Sequence, residues 1–273
     1  MLHTSKTGGD KVKALIFLLV ILALIVGCSK EPTKEETTRY GRIKVEAFDT
    51  PPPLGLERID LTITEVSIHK SGEGWITVDQ PNITHDFLKL INGATAVLVD
   101  DTLQPGHYTQ MRLVVVDTNE VVVEGETYPL FVPSGEQTGV KLNLDFTMEV
   151  DELIEIYVDF DASKSIKWVP GLGQYRMRPT FKAFKKLLSG TVAGSVQDTA
   201  GVGIVNALVE AIASNDTTAT VTNSTGAYKL ILLECMYDLK ASAEGYTTAD
   251  TFYTGVEVNA GVNLMGYNFI LRQ

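Results

Sequence analysis

Val140, Leu142, Leu144, Phe146, Met148 and Val150 occupy alternate positions, with Lys141, Asn143, Asp145, Thr147 and Glu149 between them. A helix would scatter this apolar set around its axis, whereas an extended strand sends alternate side chains to opposite faces. The stretch predicts a half-buried antiparallel strand. Asp151-Glu152 predicts a turn, and Ile154, Ile156, Val158 and Phe160 repeat the pattern, as the second arm of a hairpin would. Ile43, Val45 and Ala47 alternate in the same way, as do Ile59, Leu61 and Ile63. There the parity slips to Val66 and Ile68, which predicts a bulge or bend. Gln104-Pro105-Gly106 suits a type II turn, and Glu124-Gly125-Glu126 separates Val121-Val122-Val123 from Tyr128. Asp86 to Ile91 is the one stretch suited to a helical turn, just before Asn92-Gly93, and no long amphipathic helix is expected beyond residue 28.

The fold class expected is all-β. An antiparallel, β-sandwich-like domain occupies 40–184. A boundary falls at Lys185-Lys186-Leu187-Leu188-Ser189-Gly190. Beyond it, over 190–273, shorter strands and turns rich in Gly, Asn and Thr predict a smaller β-sandwich. Val192, Val196, Val205, Ala207 and Val209 are expected to form its first strand pair, around a loop from Asp198 to Gly203. Tyr228, Leu230, Leu232, Tyr237, Leu239, Ala241, Tyr267, Phe269 and Leu271 mark the later strands.

The first residues follow a different logic. Lys6, Lys11 and Lys13 precede an uncharged run from Ala14 to Gly27, which ends at Cys28. A basic start, a short apolar core and a small residue at the cut define a secretory signal over 1–27. The run falls short of the roughly 20 apolar residues of a membrane-spanning helix. Leu24-Ile25-Val26-Gly27-Cys28 resembles a bacterial lipobox. The resemblance implies that Cys28 becomes the first mature residue and carries lipid, with the two or more acyl chains that stable anchoring needs. Residues 28–39 are polar and charged and read as a flexible tether, with a mean reach of roughly 20 Å and a limit near 40 Å.

Formal net charge is −11, and removing residues 1–27 takes away three Lys and one Asp, leaving −13. That balance disfavours nucleic acid, whose phosphates need a basic surface, and disfavours electrostatic attachment to an anionic leaflet. With Cys28 lipidated, Cys235 has no partner within the chain, so a disulfide framework and a Cys-based zinc site are excluded.

Two families are resembled. Residues 40–184 resemble the bacterial and archaeal lipoproteins of domain of unknown function 4382. The resemblance rests on Leu61–His69, Phe87–Gly93, Leu103–Leu113, Val132–Lys141, Asp159–Ala162 with Ser163 and Ser165, and Tyr175-Arg176-Met177-Arg178-Pro179. It imports no mechanism. Residues 190–273 are similar to carboxypeptidase regulatory-like modules of the transthyretin-like sandwich type. Gly194, Val196, Asp198, Gly201, Asn206-Ala207, Val209, Gly226, Tyr228, Leu230, Tyr237, Leu239 and Gly245-Tyr246 carry that likeness. Two positions depart from the family pattern: Gly203 stands where Pro is usual, and Cys235 where Gly is usual. The resemblance implies an accessory module with a carbohydrate-binding-like fold.

Candidate chemistry is sparse. His69, His85 and His107 lack ligand spacing and read as surface or loop residues. Asp159 and Asp161 share a strand face with Glu155 and Tyr157; they are a weak Ca²⁺ candidate with Ser163 and Ser165, against a solvated face or hydrogen bonds to the next loop. Ser134 and Gly135, in the loop Pro133–Gly139, read as a structural turn, as a ligand-binding loop, or as the site of a nucleophilic Ser without an elbow motif or assigned base. Trp75, Trp168 and Tyr175 are candidates for a sugar-stacking platform, or are core. Cys235 reads as a partly buried small hydrophobe or as a reactive thiol.

The expectation is therefore an exported protein, lipid-anchored through Cys28 to the bacterial envelope at the outer membrane or cell surface. It has a non-catalytic binding or scaffold role, without cofactor. Its partner would be a glycan or an envelope protein. An accessory role in an adhesin or secretion assembly is the alternative, and an envelope hydrolase using the Pro133–Gly139 loop the lesser one.

Overall fold

The computed structural model describes residues 39–51, 55–133, 138–214, 216–247 and 252–273. The expected signal, Cys28 and the tether up to residue 38 lie outside the described residues. The amino-terminal region begins with β1 (Gly41–Thr50), β2 (Leu56–Lys70), β3 (Gly74–Asp79) and β4 (Ile83–Asp86). It continues with β5 (Ala96–Leu103), β6 (Gly106–Val115), β7 (Thr118–Val123), β8 (Glu126–Phe131) and β9 (Val140–Met148). Then come β10 (Leu153–Asp161), a four-residue helix α1 (Ala162–Ser165), β11 (Ile166–Val169), β12 (Gln174–Met177) and β13 (Phe181–Lys185).

Two sheets enclose the first core. One has the order β13-β10-β1-β5, with β1 parallel to β10 and antiparallel to β5. The other is built on β2. β2 pairs with β7 over Leu56–Asp60 and with β6 over Ile63–Lys70. Its register shifts between Ile63 and Glu65, where the slip in apolar parity predicts a bend. At that changeover the buried Asn119 stands in for a strand: its Oδ1 accepts from Thr62 N at 2.8 Å and its Nδ2 donates to the Val116 carbonyl at 2.8 Å. Ile43, Val45, Ile59, Leu61, Tyr108, Met111, Phe146, Ile156 and Phe160 fill the space between the sheets. The helical turn is a 3-10 turn over Phe87–Lys89, and the Asp86 side chain caps it by accepting from Leu88 N at 3.2 Å.

Two expectations need correction here. Val140–Met148 is a strand, but Val150 lies beyond its end and is exposed. β9 and β10 form no hairpin: β9 pairs with β6, and β10 pairs with β1 and β13. Asp151 takes a left-handed φ of 61° and turns the chain between the two sheets, so the two apolar faces meet across the core. Period two specifies which face is buried; it does not specify the neighbouring strand.

The carboxyl-terminal region consists of β14 (Ser189–Asp198), β15 (Leu208–Ile212), β16 (Thr217–Val221) and β17 (Ala227–Leu233). β18 (Cys235–Ser242), β19 (Tyr253–Val258), β20 (Asn263–Met265) and β21 (Phe269–Leu271) complete it. β14 pairs antiparallel with β17 and parallel with β20 and β21, facing a sheet of order β16-β15-β18-β19. The expected β14–β15 pair is not formed, and Val205 is exposed. A second core of Val192, Val196, Val209, Tyr228, Leu230, Leu239, Phe269 and Leu271 lies between these sheets. Gly203 has a steric cause. A Cβ there would come within 2.1 Å of the Thr225 carbonyl oxygen, so this chain brings two backbones together where the family pattern has Pro.

The carboxyl-terminal region packs on the outer face of β1 and β10. Phe48, Leu90 and Asn92 face Thr218, Thr220 and Lys229 there. Asn92 is the pin. Its N–H donates to Thr220 Oγ1 at 2.9 Å, its Oδ1 accepts from Lys229 N at 2.6 Å, and its Nδ2 donates to the Ala227 carbonyl at 3.4 Å. The side-chain amide thus pairs with the backbone of β17 as a neighbouring strand would.

Candidate functional site

The packing of the second region overturns one reading of Asp159 and Asp161. Both are on the outer face of β10, but they are 4% and 2% exposed rather than solvated. Asp159 accepts from Thr50 Oγ1 at 3.3 Å. Burial, moderated by the nearby Lys182 ammonium, pushes its carboxyl up to about 7. Asp161 caps α1, accepting from Ser163 Oγ at 2.6 Å and Lys164 N at 3.0 Å, and Lys164 Nζ lies 2.6 Å from its other oxygen. Burial alone would raise the Asp161 pKa; the Lys164 and Ser163 hydrogen bonds outweigh it and hold the group below its ordinary value. Lys182 pairs with Asp216. Asp49, on the inward face of β1, is raised well above the carboxylate range by burial and then by the charge of Asp159. Among the described residues, no group of three or more His, Cys, Asp or Glu side chains could hold a metal ion. The Ca²⁺ candidate therefore finds a capping residue and an interface residue, each with its own partners.

Other candidates are dispersed. Ser134 and Gly135 lie outside the described residues. His69 Nδ1 is 3.0 Å from Thr109 Oγ1, and His107 Nε2 is 2.7 Å from Asp145. Trp75 sits on β3 under the Arg112 guanidinium, 4.9 Å from its ring centre, with His69 at its edge. It is not part of a platform with Trp168. Cys235 is exposed, which corrects the buried reading.

What the fold does assemble is the β11–β12 hairpin. Pro170–Leu172 forms a 3-10 turn, and Gly173, at a left-handed φ of 60°, ends it. Register places Trp168 opposite Tyr175 and Lys167 opposite Arg176. On one face the Trp168 and Tyr175 rings are 4.8 Å apart and inclined at 52°, and Tyr128 meets each edge-on at 5.7 Å. Trp168 is 43% exposed while Tyr175 packs against the core. The pair is thus a single presented ring on a supporting one, not a flat two-ring platform. On the opposite face Lys167, Arg176 and Arg178 line a groove of about 910 Å³ with Val169 and Pro179. These cations were missed from sequence. The signal available was Arg176 and Arg178 flanking Met177 at period two in an acidic chain.

An all-β chain with two cores and an exposed, aromatic-bearing hairpin is the class that fold and site define. The chain belongs to the family described as Domain of unknown function (DUF4382), whose model matches residues 40–179. A carboxypeptidase regulatory-like domain follows, matched over residues 191–272. No curated protein matches the chain. Among solved structures, the Bacillus anthracis TIE protein is 16% identical with a TM-score of 0.26; the match covers 86% of this chain and 34% of that one. This chain thus spans about a third of that protein. The shaft pilin SpaA of Lactobacillus rhamnosus GG is 9% identical with a TM-score of 0.25, covering 85% of this chain and 97% of that one. The minor pilin GBS52 of Streptococcus agalactiae is 13% identical with a TM-score of 0.26, covering 84% and 95%. No helix among the described residues is long and apolar enough to cross a membrane.

Proposed function

We propose that this chain is an exported protein held to the bacterial cell envelope by lipid on Cys28, and that it works by binding rather than by catalysis. The lipobox-like Leu24–Cys28 supports the anchor. The observation that supports binding is the exposed Trp168 ring, held at the end of a hairpin by Tyr175 and Tyr128. Core rings are covered; this one offers a face on which a sugar or a partner side chain can stack.

Two experiments test the reading. Processing at Cys28 is expected to be blocked by globomycin; unchanged processing, or a mature protein without lipid, refutes the anchor. A glycan array run with the wild type and Trp168→Ala tests the ring. Glycan binding lost in the variant makes this a carbohydrate-recognition lipoprotein. Capture of one specific envelope protein without glycan signal assigns the hairpin to assembly or adhesion instead.

A further inference from the structure

Large apolar side chains left in water gather at one end of the molecule. Leu187 is 78% exposed and Leu153 54%, and Tyr40, Val150, Leu188 and Val262 are exposed with them. Register brings them together. The Tyr40 carbonyl accepts from Asp151 N at 3.1 Å and Arg42 is matched to Leu153, so the start of β1 lies beside the Val150–Leu153 turn. β13 is the next strand, with Lys185 opposite Ile156. The 3-10 turn Lys186–Leu188 continues it, tied to β10 by Lys186 Nζ, 3.0 Å from Glu155. Neighbouring strands are about 4.8 Å apart, so those leading to Tyr40 and Leu187 are separated by roughly 10 Å. The Leu188 carbonyl accepts from Glu234 N at 3.0 Å and the Ser189 carbonyl from Gly261 N at 2.8 Å, which adds Val262. Apolar residues exposed singly are ordinary; a contiguous set marks a surface that meets something.

The point where the chain enters says what it meets. Ten residues, 29–38, separate Cys28 from Arg39 and reach at most about 40 Å when fully extended. They join the described chain at this end. The Trp168 hairpin is at the other. Met148, closing β9, lies against Gly41; β6 pairs with β9 from there, and β2 ends beside them at Lys70. β7, β8, β12 and β11 assemble from the Leu56 end of β2, roughly 45 Å of strand away. A lipid on Cys28 thus brings the apolar end to the bilayer first, and makes even a weak docking there an intramolecular event. Around the patch Glu149, Asp151, Glu152 and Glu234 outnumber Arg39, Lys185 and Lys186, so an anionic leaflet is disfavoured and zwitterionic headgroups fit. We propose that the Tyr40–Leu153–Leu187 end docks on the surface of a zwitterionic bilayer, which directs Trp168 away from the membrane. The inference rests on the lipid anchor proposed above, but not on what Trp168 binds.

The test uses the lipidated chain in vesicles of phosphatidylethanolamine and phosphatidylcholine that carry a quencher on their acyl chains. In a Cys235→Ser background, a fluorophore is attached through Asn259→Cys, exposed in the turn before Val262, or through Leu172→Cys, exposed at the hairpin turn. The label at 259 is expected to be quenched and the label at 172 not, and phosphatidylglycerol vesicles should weaken the quenching. Leu187→Ser/Leu188→Ser is expected to lower the docked-to-free ratio about ten-fold or more, since burying one leucine is worth about a decade. Both side chains are exposed, so this variant should melt at the temperature of the wild type; Leu153→Ser gives a second reading if it folds poorly. Quenching that is equal at the two labels, absent at 259, or unchanged in both leucine variants overturns the proposal. So does self-association in detergent that Leu187→Ser/Leu188→Ser abolishes, in favour of a second copy of the chain as occupant. The mass of the amino-terminal peptide separates the two readings: lipid on Cys28 without quenching overturns this inference alone, whereas Cys28 without lipid overturns both.

Discussion

Asp159→Asn should stabilise the protein, and only above mildly acid pH. In the folded chain the Asp159 carboxyl is raised from 3.8 to about 7 by burial beneath the second region. A carboxyl with a raised folded pKa binds its proton more tightly when folded, so stability falls as pH rises from 3.8 through about 7. The full shift corresponds to about 4 kcal/mol at pH 8, at roughly 1.36 kcal/mol per pK unit. Asn keeps the acceptor for Thr50 Oγ1 and carries no charge, but leaves amide hydrogens to satisfy, at a cost of about 1–2 kcal/mol. The expected net gain is about 2–3 kcal/mol at pH 8, shrinking to nothing or a small loss near pH 4. Urea unfolding of both proteins across this range, read as the difference between them, reports Asp159 together with the part of the Asp49 shift that its charge causes, which has the same sign. Asp49 titrates with the same sign in both proteins, and His85, lowered by burial, with the opposite sign in both. A difference that does not change with pH, or a variant less stable than the wild type at pH 8, refutes the reasoning.

Asn92→Ala removes the side-chain hydrogen bonds to Lys229 N and the Ala227 carbonyl, and should cost about 2–4 kcal/mol. Hydrogen exchange should show the Lys229 amide losing protection before the core of either region. Gly203→Ala forces a methyl against the Thr225 carbonyl and should cost about 1–3 kcal/mol, seen as a fall in Tm of several degrees. Cys235, exposed on β18, should react completely with a thiol reagent in the native protein. Cys235→Ser should leave stability within about 0.5 kcal/mol.

The strands were legible because one-sided burial writes itself as alternation: Ile43, Val45 and Ala47, and Ile154, Ile156 and Val158, all face the core. The Phe87–Lys89 turn and the slip near Thr64 were legible for equally local reasons. Strand partners were not. β9 and β10 read as a hairpin because their alternation matches, yet they face each other across the core. Asp159 and Asp161 read as solvated or as bonded to the next loop; Asp161 does bond to Ser163 and Lys164, but their burial was not legible, because alternation within β10 carries no information about a region that begins near residue 189. Lys167, Arg176 and Arg178 are unremarkable singly; only the register of β11 with β12 sets two of them opposite each other. Asn92 reads as a turn residue, and its work on β17 depends on a backbone well over a hundred residues away.

The parallel pairing of β1 with β10 has a kinetic consequence. Arg42 is matched to Leu153 and Thr50 to Asp161, so the first strand among the described residues waits during synthesis for one about 110 residues behind it. Closing a loop of that length carries an entropic cost before any contact repays it, and such topologies fold slowly. Until β10 arrives, β1 has only β5 beside it, and the sheet that supports the second region is incomplete. The order of strands thus leaves the β13-β10-β1-β5 sheet unfinished until most of the first region has been made.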